Sequence, residues 1–184
     1  MIFDGLRLKV ARRILRRKSA KLKRQKMLFD FASAKYIGII CASSDETSVN
    51  ILKSFLQFLS GNNIKYQVLG YFNGKKIPNN FLFRKEIDFI TQNNLNAFCI
   101  PKGEVAEKFM TEPFDMLLNC SMNCYFPIEY MVQVSMAKCK VGISGDNFPD
   151  YDLMIDVGKK KDIGYFLDNL RLYLSNLRNS NLQS

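Results

Sequence analysis

The sequence predicts an α/β fold: a three-layer, Rossmann-like or flavodoxin-like sandwich on a mostly parallel sheet, with room for one antiparallel edge strand, preceded by a basic N-terminal helix. Three observations carry this. Apolar, β-branched runs alternate with segments of helical period along most of the chain. The first clear triplet reads strand–helix–strand, the βαβ pattern. The positive charge is gathered ahead of that triplet. Of 27 Lys/Arg and 17 Asp/Glu in 184 residues, residues 1–34 hold 11 and two, and residues 35–184 hold 16 and 15. The net charge of +10 therefore divides into +9 and +1. Residues 1–34 read as a basic helical extension and residues 35–184 as a single α/β domain, long enough to bury a core without metals or disulfides.

Taken in order, residues 4–28 favour a helix by composition, rich in Leu, Ala, Arg, Lys and Gln. "KYIGIICA" (35–42) reads as a strand covered on both faces. In the next segment Ser43 and Glu46 form an S-x-x-E capping box, with Asp45 as the alternative cap. Val49, Leu52, Phe55, Leu56 and Leu59 follow at helical spacing, and Gly61 with two asparagines ends the helix. "IKYQVLGYF" (64–72) is a second strand. Residues 79–95 fit two readings, a helix through Phe83, Ile87 and Ile90 or a short strand in "EIDFIT". "NAFCI" (96–100) is strand-like, "GEVAEKFM" (103–110) a short helix and "FDMLLNCS" (114–121) a strand. "PIEYMVQVSMA" (127–137) is a helix opened by Pro127, with Ile128, Met131, Val132 and Ser135 inward. "CKVGI" (139–143) and "DLMIDV" (152–157) are strands. A final helix from Asp162 buries Ile163, Phe166, Leu167, Leu170, Leu174 and Leu177. Only nine residues, 144–152, join the last two strands. A parallel crossover through a helix needs a dozen or more, so as neighbours these strands are expected to pair antiparallel.

Several chemistries are absent. There is no histidine, which removes Ser-His-Asp and Cys-His catalysis and the usual zinc enzymes. No glycine-rich phosphate loop follows the first strand, and no cofactor motif is present. Cys120 and Cys124 are spaced C-x3-C, neither a thioredoxin motif nor half of a zinc site with a matching pair. No metal site is expected. With no secretory hydrophobic region or membrane-length apolar run, the expected setting is the reducing cytoplasm.

Ligands of open α/β sheets lie beyond the carboxyl ends of the strands. Three polar segments fall there: Ser43, Ser44 and Thr47; Asn119, Ser121 and Asn123; and Ser144, Gly145 and Asp146. They are the candidates for a phosphorylated or nucleotide-like small molecule, although loop polarity and helix capping are the stronger account of them. Asp45, Asp146 and Asp156 are acids without a sequence-defined partner, and no catalytic residue is assigned.

The strongest signal is "RRILRRKSAKLKRQK" (12–26), nine basic residues in fifteen with no acid. As a helix it gathers Val10, Ala11, Ile14, Leu15 and Leu22 on one side and Lys9, Arg12, Arg13, Arg16 and Lys23 opposite, with Arg7, Lys18 and Lys21 on the apolar side. Arg17 and Arg24 complete the candidate set. So much uncompensated charge exceeds what solubility requires. It points to a non-catalytic protein that contacts a polyanion, foremost RNA or a ribonucleoprotein. An anionic membrane surface and an acidic protein are the alternatives.

The order "YIGIICASS", "EPFDMLLNCS", "FPIEYMVQVSMAKCKVG" and "YDLMIDV" resembles an uncharacterised bacterial family in which a basic N-terminal helix precedes a Rossmann-like body. The resemblance covers nearly the whole chain and implies the fold without an activity. At the level of fold alone the body is also similar to sugar-nucleotide-binding domains.

Overall fold

The computed structural model describes residues 2–42, 46–77, 87–145, 151–158 and 162–181. Ser43, Ser44, Asp45 and Asp146 lie outside them, as do residues 79–86 of the 79–95 segment, and the side chains of Glu46 and Leu177 are likewise not described.

Six strands form one sheet: β1 (Tyr36–Ala42), β2 (Lys65–Tyr71), β3 (Ile87–Ile90), β4 (Met116–Asn119), β5 (Cys139–Ile143) and β6 (Leu153–Ile155). Their order is β3-β2-β1-β4-β5-β6 and every pairing is parallel. This is the Rossmann order, in which the direction of winding reverses between β1 and β4. Among the described residues the α-helices are α1 (Ile2–Lys21), α2 (Glu46–Gly61), α3 (Glu104–Thr111), α4 (Phe126–Val134) and α5 (Ile163–Asn181).

The strand period of two separates the cores. Ile37, Ile39, Val68, Met116, Leu118, Val141 and Ile155 face Leu52, Phe55 and Leu59 of α2 and Phe166, Leu167 and Leu170 of α5. Ile40, Leu69 and Leu117 face Ala106 and Phe109 of α3 and Ile128, Met131 and Val132 of α4. On this second face strand glycines admit flat aromatic rings. A Cβ on Gly38 would sit 2.7 Å from Phe114, and one on Gly142 would run into the Tyr151 ring.

Three expectations are corrected and one open alternative is decided. First, β5 and β6 are neighbours yet parallel, in register Val141↔Leu153 to Ile143↔Ile155. The dozen-residue rule assumes a full strand to retrace. Here the paired stretch is three residues, roughly 10 Å, and nine residues of extended chain can span about 30 Å, enough to retrace it. Second, "NAFCI" is a turn. The Asn96 side chain accepts from Phe98 N and Ile100 N at 2.8 and 3.1 Å, and Cys99 takes a left-handed φ of 58°. A local Asn turn outcompetes the apolar strand pattern, leaving only an isolated Leu95↔Pro101 bridge. Third, the ambiguous segment ends in strand β3, paired with β2, and Thr91 then caps a short 3-10 turn at 92–94. Fourth, the leading helix stops at Lys21 instead of continuing to 28. Beyond it, Arg24 and Met27 bond to the sheet edge, which a continued helix would forbid.

α1 lies outside the sandwich, packed on α4. Its Leu15 is buried with Ile100 and Tyr130, flanked by Ile14, Phe126 and Val134. Residues 22–35 then pass beneath the amino ends of the strands. Phe29 enters the α2/α5 core, and Phe31 meets Phe55 and Phe58 edge-on at 6.1 and 5.3 Å.

Candidate functional site

Three places qualify: the leading basic segment, the carboxyl ends of the strands, and a groove between α1 and the body. The basic segment divides sharply. Arg24 is almost fully buried. It donates through Nη2 to Asp152 Oδ1 at 2.6 Å and through Nη1 to the carbonyls of Ala137 and Lys138 at 3.2 and 2.9 Å. Lys26 reaches the same carboxylate at 3.3 Å. Burial alone would raise Asp152, but Arg24, the Lys140 backbone N–H and Lys26 hold it below the usual carboxylate range. Arg24, expected to face a polyanion, instead ties the leading segment to β6.

The cations of α1 are placed differently. Arg12 meets Glu129 at 3.5 Å while remaining 56% exposed. Arg7 donates to Ala97 O at 2.7 Å. Lys18 Nζ lies 5.6 Å from the centre of the Tyr130 ring. Lys21 lines the groove beside it. Lys9, Arg13, Arg16 and Arg17 are exposed, and no acid among the described residues pairs with them. Their spacing of three and four puts them on one outward stripe, opposite Ala11 and Leu15. Lys23 is also exposed, just past the helix end.

At the carboxyl edge, Asn119 and Ser121 are structural. Asn119 Nδ2 donates to the Tyr151 hydroxyl at 2.6 Å and its Oδ1 accepts from Ser121 N at 3.0 Å. Ser121 Oγ accepts from Ala42 N at 2.9 Å, stitching β1 to β4. Both polar residues are buried and bonded within the fold. Thr47, Asn123, Ser144 and Gly145 are exposed. Among the described candidates, Asn123 alone lines the cleft of about 40 Å³ at the β1/β4 reversal. The remainder of that wall is Cys41, Ala42, Ser48, Val49, Leu52, Cys120, Met122, Tyr125 and Ile163. Polarity at strand ends pointed to the loops, whereas the cleft wall is mostly apolar and left no polar signal. Burial pushes the Cys41 thiol up to about 12 and Cys120 well above its ordinary value, so neither is a nucleophile near neutrality. Asp156 is not inside a strand: β6 ends at Ile155, and Asp156 Oδ1 accepts from Gly158 N at 2.8 Å in an exposed turn. Among the described residues no three His, Cys, Asp or Glu side chains converge as a metal site, and no helix is long and apolar enough to cross a membrane.

A second ion pair organises the amino edge. Asp115 Oδ1 accepts from Lys138 Nζ at 2.8 Å, and its Oδ2 accepts from Lys35 N and Tyr36 N at 2.9 and 3.1 Å. Burial opposes ionisation there, and these bonds overcome it, so the carboxyl stays below the usual range. On β5, in register with Leu117, Lys140 is 3% exposed, with Nζ donating to Gln133 O at 2.8 Å. Burial first, then Arg24, pulls its ammonium down to about 7, against the pull of Asp152.

Residues 7–177 match the model of a family of unknown function, DUF6913. The match spans most of the chain, and the chain belongs to that family. No curated protein matches it.

Proposed function

We propose that this member of a family without an assigned activity is a polyanion-binding α/β protein whose contact surface is the outward stripe Lys9, Arg13, Arg16 and Arg17 of α1. One observation supports this most directly: the helix is anchored by buried Ala11 and Leu15, yet those four cations stand in solvent without a carboxylate from the described part of the molecule. An anchored helix has already met its ordering cost, so its charges are presented at fixed spacing instead of being gathered on binding. Four cations over about two turns, roughly 12 Å, suit the phosphates of a single RNA strand. A membrane is less well served. Among the described residues, the exposed apolar neighbours of the stripe are Leu6 and Val10, too few to bury a hydrophobic face in lipid.

The test is binding of the full chain to single-stranded RNA across a salt series, beside the quadruple variant Lys9→Gln, Arg13→Gln, Arg16→Gln, Arg17→Gln. The variant should bind far more weakly, and its log–log salt slope should fall by about three. Equal binding by both proteins, or retention insensitive to salt, would sink the proposal. Preferential capture by phosphatidylglycerol vesicles would move the surface to the membrane reading.

A second reading has one observation in its favour. The strand order puts the reversal between β1 and β4, where a nucleotide-like ligand binds in this fold class, and a cleft lies there. Its small volume and apolar wall weigh against it. Thermal stabilisation by a nucleotide that persists in the quadruple variant would revive it.

A further inference from the structure

A groove of about 490 Å³ separates the last turn of α1 from the carboxyl-terminal halves of α3 and α4. Leu22, Met110, Val134 and Met136 give it apolar walls, and Lys18 and Lys21 stand along it with Glu107 as the single acid. Tyr130 also lines it. That residue is 1% exposed, and its hydroxyl has no hydrogen-bond partner among the described residues. A buried hydroxyl is costly unless something bonds to it, and the described residues around it supply no partner.

We infer that this groove binds a single-chain amphiphile with an anionic head, of the fatty-carboxylate class. Its volume is that of a small-molecule site, and its walls are mostly apolar. Met110 and Met136 are unbranched, adaptable side chains that fit a flexible alkyl tail. The charge along the groove selects the head. Two ammonium groups face one carboxylate, and Lys18 already lies 5.6 Å from the Tyr130 ring centre. A carboxylate there would pair with Lys18 or Lys21, and a small shift of the wall that uncovers the enclosed Tyr130 hydroxyl would let it accept from that group as well. A cationic head would meet like charge. α1, α3 and α4 all end beside the groove, so their terminal carbonyls disfavour an anion anywhere except against the lysines. This fixes the direction: head toward Lys18 and Lys21, tail along the methionines. The site uses none of the four cations of the outward stripe, so it stands or falls separately from RNA binding.

The experiment titrates laurate, below its micelle concentration, into full-length protein carrying 13C-methyl methionine. Saturable shifts are expected at the Met110 and Met136 methyls and none at Met154, which is exposed on β6. Dodecyltrimethylammonium should give no saturable shift at either groove methyl. Tyr130→Phe should weaken laurate roughly tenfold, about the worth of one charge-assisted hydrogen bond. The double variant Lys18→Gln, Lys21→Gln changes only exposed side chains and should also abolish the preference for the carboxylate. Equal binding of the cationic amphiphile, shifts spread to Met154, wild-type affinity in both variants, or no binding below the micelle concentration would each overturn the assignment.

Discussion

Residues 9–17 and residues 24–26 belong to one basic run, yet the fold treats them oppositely. In the first stretch, α1 turns Lys9, Arg13, Arg16 and Arg17 to solvent and buries only Ala11 and Leu15. In the second, Arg24 is almost fully buried and shares Asp152 with Lys26. The difference teaches that a charge run is not a functional unit. A cation matched by a buried acid has become part of the architecture, and only the unmatched ones remain available to another molecule. It also changes how the segment is to be probed. Deleting residues 1–30 would uncover Ile100 and Tyr130, remove Phe29 from the core and leave Asp152 without Arg24. Neutralising the outward stripe leaves all of these in place.

The contrast is easiest to break at Asp152. Asp152→Ala strands Arg24 beside two carbonyls, and the loss in urea-unfolding free energy should be about 3–5 kcal/mol. The quadruple stripe variant, measured in the same way, should stay within about 0.5 kcal/mol of wild type. If the two cost the same, matched and unmatched cations do not differ as described. Next in size, Leu15→Ala opens a cavity under α1 and should cost about 2–4 kcal/mol, whereas Leu6→Ala, at a residue 61% exposed, should change little. An equal effect at both positions would mean α1 is not anchored by its inner face.

The smallest expected effect sharpens the amino edge through Lys140. Its folded value of about 7 lies below the ordinary 10.5. Between those values the unfolded chain holds more protons than the folded one, so this group's contribution makes stability rise from pH 7 toward 10.5. Below pH 7 the folded protein carries a buried charge at full cost. Lys140→Met should therefore stabilise the protein at pH 6–7 by about 2 kcal/mol, and its advantage should shrink as pH rises. An advantage that is constant with pH would show that the ammonium is not responsible.

The strands and helices that were legible had long periodic patterns and clear punctuation: "YIGIICA", the α2 stripe ended by Gly61 and two asparagines, and α5. What misled was local chemistry working against pattern. Asn96 folds an apolar pentapeptide into a turn. The leading helix ends where Arg24 and Met27 find partners more than a hundred residues away. At the strand ends, Asn119 and Ser121 looked like ligand donors and prove to be internal fasteners, because a side chain's partners cannot be read from its polarity. The groove left no linear trace, since its walls come from α1, α3 and α4.

By itself, the sequence determined the α/β class, membership of a family without an assigned activity, the removal of histidine chemistry and the weight of positive charge at the front of the chain. These depend on composition and on periods of two and 3.6, which are local properties. Tertiary structure alone decided that β6 runs parallel, that Arg24 is internal while Arg13 and Arg17 are not, and that Tyr130 stands buried, its hydroxyl without a partner among the described residues, in a groove lined by two lysines. Each of those depends on which distant segment comes to lie alongside, and hydrogen bonds and ion pairs act over a few ångströms of space whatever the separation along the chain.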